Sequence, residues 1–332
     1  MFGYQRTIVA IFTFFAVILF SGCVENLISI HILPDGTPSI EFTSRGDSTD
    51  IFDNDFSHPP PGLPWSLNVY NELVDDSVVW IKETSGYLTN PADTVYLSSA
   101  PGRLNHFFTI TMSTGLFATR YNLNYTFEGR RVYQKYPLLG REILNDFQGD
   151  STIWLPEVLN YVLGKALNDM AGLPSTNYSE NFLEHLENHF KNYFSRIQYS
   201  QQSEELSHNT RSIIIDALQP FQSRLTPGFT DTLLQAVYPY EREFETTINL
   251  YDDHFRVLAM LPGTMTTTNA DSVLTDTLIW NFSVGEVLND DLVIQASSVM
   301  YFQTRVQKLA LGIIILISLT VFITSFWKKK RL

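Results

Sequence analysis

The sequence predicts an α+β fold: an antiparallel sheet ectodomain interrupted by a helical insertion, followed by one C-terminal transmembrane helix. Three observations carry that expectation. Period-two alternation of apolar residues recurs near both ends of the chain, helical periodicity fills the middle, and a charge-free apolar run, Leu309 to Trp327, ends at Lys328-Lys329-Lys330-Arg331.

The β-rich part spans 23–140. Ile28, Ile30 and Ile32 alternate with Ser29 and His31, Pro34-Asp35-Gly36 turns the chain, and Ile40 and Phe42 resume the alternation, which predicts a hairpin over Leu27 to Phe42. Arg45 to Leu63 reads as an Asp- and Pro-rich loop. Ser77 to Thr84 and Thr94 to Leu97 read as strands. The clearest alternation lies in Tyr121, Leu123, Tyr125 and Phe127, the second arm of a hairpin that joins Phe107–Met112 to Leu116–Phe127 across Ser113-Thr114-Gly115. One face of that arm is expected to be aromatic and buried.

A helical insertion is expected over 141–250, with helices at Thr152 to Ala171, Ser179 to Gln198, Glu204 to Gln219 and Gly228 to Thr247. Ser151 or Thr152 can cap the first. Ser179 starts the second, with Phe182, Leu186, Phe190 and Phe194 near one face, and Pro239 disturbs the fourth. Strands return over 251–305, at Phe255 to Leu261, Thr277 to Phe282 and Leu292 to Phe302.

The chain ends carry the topology. The charge-free run of 19 residues spans about 28 Å as a helix, close to the roughly 30 Å of a hydrocarbon core. A transmembrane helix over 308–327 with a basic tail at 328–332 places the C-terminus in the cytoplasm and the preceding chain outside it, by the positive-inside rule. Arg6, the apolar stretch Ile8 to Phe20 and Ser21-Gly22 have the parts of a signal peptide over 1–22. Cys23 follows, and it is the one cysteine in the chain. Leu19-Phe20-Ser21-Gly22-Cys23 resembles the bacterial lipobox, whose cysteine becomes a diacylated N-terminus. Phe20 stands where that motif usually has leucine. On this reading Cys23 is the lipidation site, and lipid and helix together tether an envelope protein of the bacterial inner membrane.

A formal net charge of −13 with no clustered basic face argues against nucleic acid as a partner. Aromatics at 14% and hydrophobic residues at 44% supply a core. Candidate chemistry is sparse. His185 and His189 lie four apart on a predicted helix, with Glu184 and Glu187 nearby, and could share a metal. Leu186 stands where H-E-x-x-H needs its glutamate, so a polar helix face is the expectation. Asp252, Asp253 and His254 place acids beside a histidine without a positioned nucleophile, and read as a solvated turn. Asp50, Asp53 and Asp55 could attract Ca²⁺ but lack the glycine and final glutamate of an EF-hand, and read as an acidic loop. Gly129-Arg130-Arg131 could meet an anionic head group, and otherwise reads as a turn with two exposed arginines.

The stretches Leu261-Pro262-Gly263, Thr268-Asn269-Ala270-Asp271-Ser272 and Leu278-Ile279-Trp280-Asn281-Phe282, with the lipobox, the Asp35-Gly36 hairpin turn and the basic-tailed helix, resemble LppM-type bacterial lipoproteins. The resemblance covers about the first 45 and last 75 residues, and leaves Arg141 to Thr247 unmatched. It implies an α/β lipid-binding-like domain with an envelope role and no enzymatic activity; the residues themselves suggest no cofactor. It carries over no functional residue. The expectation is therefore a non-enzymatic, doubly anchored lipoprotein whose ectodomain binds membrane lipid or an envelope protein. The alternative is an envelope hydrolase, metal-dependent through the helical block.

Overall fold

The computed structural model describes residues 24–53, 55–88, 95–98, 102–145, 153–172, 178–196 and 210–329. The expected signal segment, Cys23, the helix caps Ser151 and Thr152, and tail residues 330–332 lie outside them.

In chain order, β1 (Glu25–Ile32) and β2 (Pro38–Gly46) form the expected hairpin, and a short α1 (Ser48–Phe52) follows. Next come β3 (Trp65–Val74), β4 (Ser77–Tyr87), β5 (Val95–Ser98), β6 (His106–Thr114) and β7 (Ala118–Phe127). The helices α2 (Val132–Lys135), α3 (Pro137–Leu144), α4 (Leu155–Ala171), α5 (Glu180–Phe194), α6 (Thr210–Leu218) and α7 (Phe229–Asn249) precede β8 (His254–Met260), β9 (Thr264–Thr268), β10 (Ser272–Leu274) and β11 (Thr277–Ser283). The chain closes with α8 (Val284–Val287), β12 (Leu292–Tyr301) and α9 (Gln303–Lys329).

Instead of one antiparallel sheet there are two. Sheet one is mixed and seven-stranded, in the order β10-β11-β8-β1-β2-β4-β3, and sheet two is antiparallel, in the order β5-β6-β7-β12-β9. The mixed pair is β1 with β8, running parallel from Glu25↔His254 to His31↔Met260. A parallel pair needs a long crossover, and here it contains most of sheet two and the whole helical block.

The inner faces meet in one core. Ile28, Ile30, Ile32, Ile40, Phe42, Phe255, Val257, Leu278, Trp280 and Phe282 of sheet one pack with Phe108, Ile110, Tyr121, Leu123, Tyr125, Phe127 and Ile294 of sheet two. Phe127 lies 4.7 Å from Phe282 and 6.3 Å from Phe255 between ring centroids. The alternating arm Tyr121-Leu123-Tyr125-Phe127 is fully buried, so its aromatic face is occupied by sheet one. Burial of each such side chain contributes about 1.5–3 kcal/mol. Asn269 staples the sheets: its Oδ1 accepts from Trp280 Nε1 at 3.0 Å and from the Gln295 amide at 2.8 Å.

Helices begin nine residues before the expected boundary at 141, at Val132. In α5 the Ser179 side chain accepts from the Phe182 amide, and Leu186, Phe190 and Phe194 are buried. Helix α7 continues through Pro239.

The strand directions give the sandwich two distinct ends. At one end, β12 passes through Phe302 into α9, the Phe302 amide donates to the Phe117 carbonyl at 2.8 Å, and Arg305 Nη1 donates to the Leu116 carbonyl at 3.3 Å. The β1–β2, β6–β7, β8–β9 and β10–β11 turns share that end. Tyr121 Oη there donates to the Pro34 carbonyl at 2.6 Å. The other end carries Val24, the start of β8 and the helical block. Strand β1 separates them by about 23 Å, at roughly 3.3 Å per residue.

Candidate functional site

The end remote from α9 holds a seam of buried polar side chains. Period-two alternation continues one step past the apolar run of each strand and places Asn26 of β1, Ser44 of β2, His106 of β6 and Asp253 before β8 inward. The segment 55–58 packs across them and adds Asp55, Ser57 and His58, all buried.

Their hydrogen bonds run in a chain from Asp253 through Asn26 and Ser44 to His58. Asn26 Nδ2 donates to Asp253 Oδ2 at 2.8 Å, and Ser44 Oγ donates to Asn26 Oδ1 at 2.5 Å. Ser44 has no second proton, so His58 Nε2 donates to Ser44 Oγ at 2.8 Å and His58 Nδ1 accepts from Thr84 Oγ1 at 3.0 Å. A general base would have to accept the serine proton. This pair runs in the opposite sense, so Ser44 is not a poised nucleophile. His106 Nε2 faces the Ser57 carbonyl at 3.3 Å and Nδ1 accepts from Tyr125 Oη at 2.7 Å. Burial holds His58 down at about 3 and His106 down at about 4, so both are neutral. Burial, then mutual repulsion among Asp53, Asp55, Asp252 and Asp253, raises the carboxyls of Asp55 and Asp253 far above the ordinary range. Asp253 Oδ1 has no protein partner.

Three sequence expectations are corrected here. Asp253 is 1% exposed rather than part of a solvated turn, whereas His254 beside it points outward. The acidic loop is drawn onto the sandwich: α1 carries Asp50, Asp53 accepts from Asn249 Nδ2 at 3.0 Å, and Asp55 is buried. Arg130 is buried, because its guanidinium donates to the carbonyls of Gly102, Arg103 and Glu243 and to Thr247 Oγ1, and so joins the loop before β6 to α7. Only Arg131 is on the surface, paired with Asp291 at 2.7 Å.

His185 and His189 both pack on the Phe221 ring, with centroids 5.7 and 4.9 Å away, and His189 Nε2 lies 2.9 Å from the Ala217 carbonyl. Among the described residues no group of three His, Cys, Asp or Glu is arranged to hold a metal.

Two open troughs mark the outer faces. One, of about 580 Å³, lies on sheet two and is lined by neutral polar side chains, among them Thr109, Thr111, Asn122, Asn124, Gln295 and Ser297. The other, about 620 Å³, lies on sheet one beside Glu25, His254, Arg256, Asn281 and Glu286.

No protein-family model matches the chain, and no curated protein matches it. Among solved structures, the NMR structure of the Mycobacterium tuberculosis LppM protein folded domain is a distant likeness. It is 9% identical, the match covers 86% of this chain and 94% of that chain, and the TM-score is 0.30. A likeness of that size assigns no residue and no activity. Within this chain, the residues that carried the LppM resemblance form the crossing between the sheets: Leu261-Pro262-Gly263 leads from β8 to β9, and Asn269 meets Trp280.

The C-terminal helix α9 contains a stretch, Gln303 to Phe322, long and apolar enough to cross a membrane, with none of it buried against the protein. Val306, Leu309, Leu311, Ile314 and Leu316 all stand exposed.

Proposed function

We propose that this chain is an envelope protein anchored in the bacterial cytoplasmic membrane by α9, with an extracytoplasmic, non-enzymatic sandwich that binds membrane lipid or an envelope protein. The observation that carries the reading is the join between sandwich and helix. Strand β12 pairs with β7 up to Tyr301↔Ala118, and α9 begins two residues later at Gln303. A domain without a spacer works at the membrane surface. Its sheet-two trough, at Gln295 and Ser297, stands roughly 13–20 Å along β12 from Tyr301, within reach of large head groups and of neighbouring membrane proteins. The basic run at Lys328-Lys329 supports a cytoplasmic tail.

The direction of the Ser44 hydrogen bond, to Asn26 and away from His58, supports the non-enzymatic reading at this seam. Lipidation of Cys23 belongs to the same reading with one geometric condition. Val24 sits at the end remote from α9, so a Cys23 lipid in the same bilayer would lay the sandwich along the surface, whereas anchorage by α9 alone lets it stand upright.

Purifying the full chain in detergent and weighing it natively by mass spectrometry tests the binding role. Retained lipid, displaced by added envelope lipid, is expected. Loss of all lipid with no uptake from mixed lipid micelles removes lipid as ligand and leaves a protein partner, to be sought by cross-linking in intact envelopes.

A further inference from the structure

The exposed large apolar side chains of the sandwich concentrate at the end from which α9 departs. Register places them there. Strand β4 ends at Tyr87 opposite Ser39, β3 starts at Trp65 opposite Gly86 just after Leu63, and the β10–β11 turn follows Leu274 beside the end of β8. Leu116 occupies the β6–β7 turn that is hydrogen-bonded to the first turn of α9. Leu116 is 78% exposed, Leu274 68%, Tyr87 and Tyr301 62% each, and Leu63 fully so.

We infer that, where α9 is the anchor in use, this end of the sandwich is a lipid-contacting collar, on which the sandwich stands upright around the point where α9 enters the bilayer. The inference builds on the reading of α9 as a membrane span. Phe302 is held against Phe117, and Leu309, the first residue of the charge-free run, lies seven helical residues further on, about 10 Å along the axis. The β6–β7 turn is therefore at head-group depth, where aromatic and apolar tips are stabilised. Charge at this end is mixed: Asp35 and Asp276 in the turns against Arg305 and Lys308 on α9. The contact is thus apolar in origin and does not depend on anionic lipid. The opposite tip, at the β3–β4 turn, also exposes Leu73 and Val78, but Glu72, Asp75 and Asp76 surround them, and it points away from the membrane.

The test places p-benzoylphenylalanine at Leu116, Leu274, Val78 or Ile315 of the full chain, in phosphatidylcholine vesicles, and measures lipid adducts by mass after illumination. All four positions are exposed, so folding is unaffected. Adducts at Ile315, Leu116 and Leu274, several-fold above Val78, are expected. Adduct formation at Ile315 with Leu116 or Leu274 at the Val78 level overturns the collar and favours a sandwich lying on one face. Failure at Ile315 itself removes the span and the collar with it.

Discussion

Replacing Arg130 by methionine should cost this protein about 3–5 kcal/mol of stability, the low end of what three orphaned buried carbonyls imply. The side chain is 5% exposed; Nη1 donates to the Arg103 carbonyl at 2.7 Å, Nη2 to the carbonyls of Gly102 at 3.2 Å and Glu243 at 2.5 Å, and Nε to Thr247 Oγ1 at 3.1 Å. Methionine fills a similar volume but leaves those carbonyls buried without donors, and each orphan costs about 1–3 kcal/mol. Some rescue by water holds the sum within the range given. The neighbouring Arg131 is the internal control. Its pair with Asp291 is partly exposed on both sides, so Arg131→Met should cost at most about 1 kcal/mol. The assay is thermal unfolding of the full chain in detergent, followed by near-UV circular dichroism. Arg130→Met should lower Tm by about 10 °C, at roughly 2–4 °C per kcal/mol for a domain of this size. Arg130→Lys should recover little, since one ammonium cannot span three carbonyls on two segments. A loss at Arg130 no larger than at Arg131 would refute the argument.

The buried titratable groups predict a pH profile. Asp55 and Asp253 have folded pKa values raised above the unfolded value near 3.9, so their contribution is complete below that value and is lost as pH rises through neutral. His58 and His106 are depressed, so theirs is complete above about 6.5 and is lost as pH falls toward 4 and 3. The two pairs oppose each other below about 6.5, and above it stability should fall with the carboxyls alone. Asp253→Asn should flatten the alkaline limb in urea titrations at pH 6.5 and 8.5, and an unchanged slope would contradict the assignment. Gly263→Ala should destabilise the sandwich by more than the roughly 1 kcal/mol typical of a lost left-handed glycine, because φ is +88° and a Cβ would sit 2.4 Å from the Val299 carbonyl oxygen. Denaturant midpoints measure it, and a cost under 1 kcal/mol would count against so close an approach of β12 at the crossing. Cys23→Ala should abolish acyl labelling while α9 keeps the protein in the membrane fraction. Label on the alanine variant would exclude Cys23 as its site.

The strands that the sequence displays most clearly are those with one dry and one wet face. Tyr121, Leu123, Tyr125 and Phe127 alternate because the intervening Asn122 and Asn124 face the sheet-two trough. Strand β3 escaped although Trp65, Leu67 and Val69 alternate with Ser66 and Asn68, because the alternation breaks at Tyr70 and the overhanging hairpin wets both faces beyond it. Strands β9 and β10 are short, mostly exposed edges of the same kind. The parallel partnership of β1 and β8 leaves no local trace at all, since two isolated apolar strands do not say which way they face. The polar seam was legible in principle. Asn26, Ser44, His106 and Asp253 each stand two residues from an inward apolar side chain of their own strand, and extending the period one step would have turned them inward. The rule that polar residues lie outside worked against that step. Arg130 and His58 carry no periodic signal, because both come from loops and are buried by contacts remote in sequence.

The central position of β1 has a consequence for how the chain matures. Its neighbours are β2, a few residues away, and β8, whose His254 pairs with Glu25 across more than two hundred residues. Closing so long a loop is entropically costly and slow. The meander β1-β2-β4-β3 can assemble early from local turns, but its β1 edge stays unpaired until β8 has been made. Sheet two waits longer still for β12, the segment translated just before the anchor. On the proposed topology, completion of the fold and arrival of α9 in the membrane are nearly simultaneous, and the late intermediate presents an unpaired, isoleucine-lined strand edge beside the bilayer, the place where an assembly factor or mispairing between chains would act.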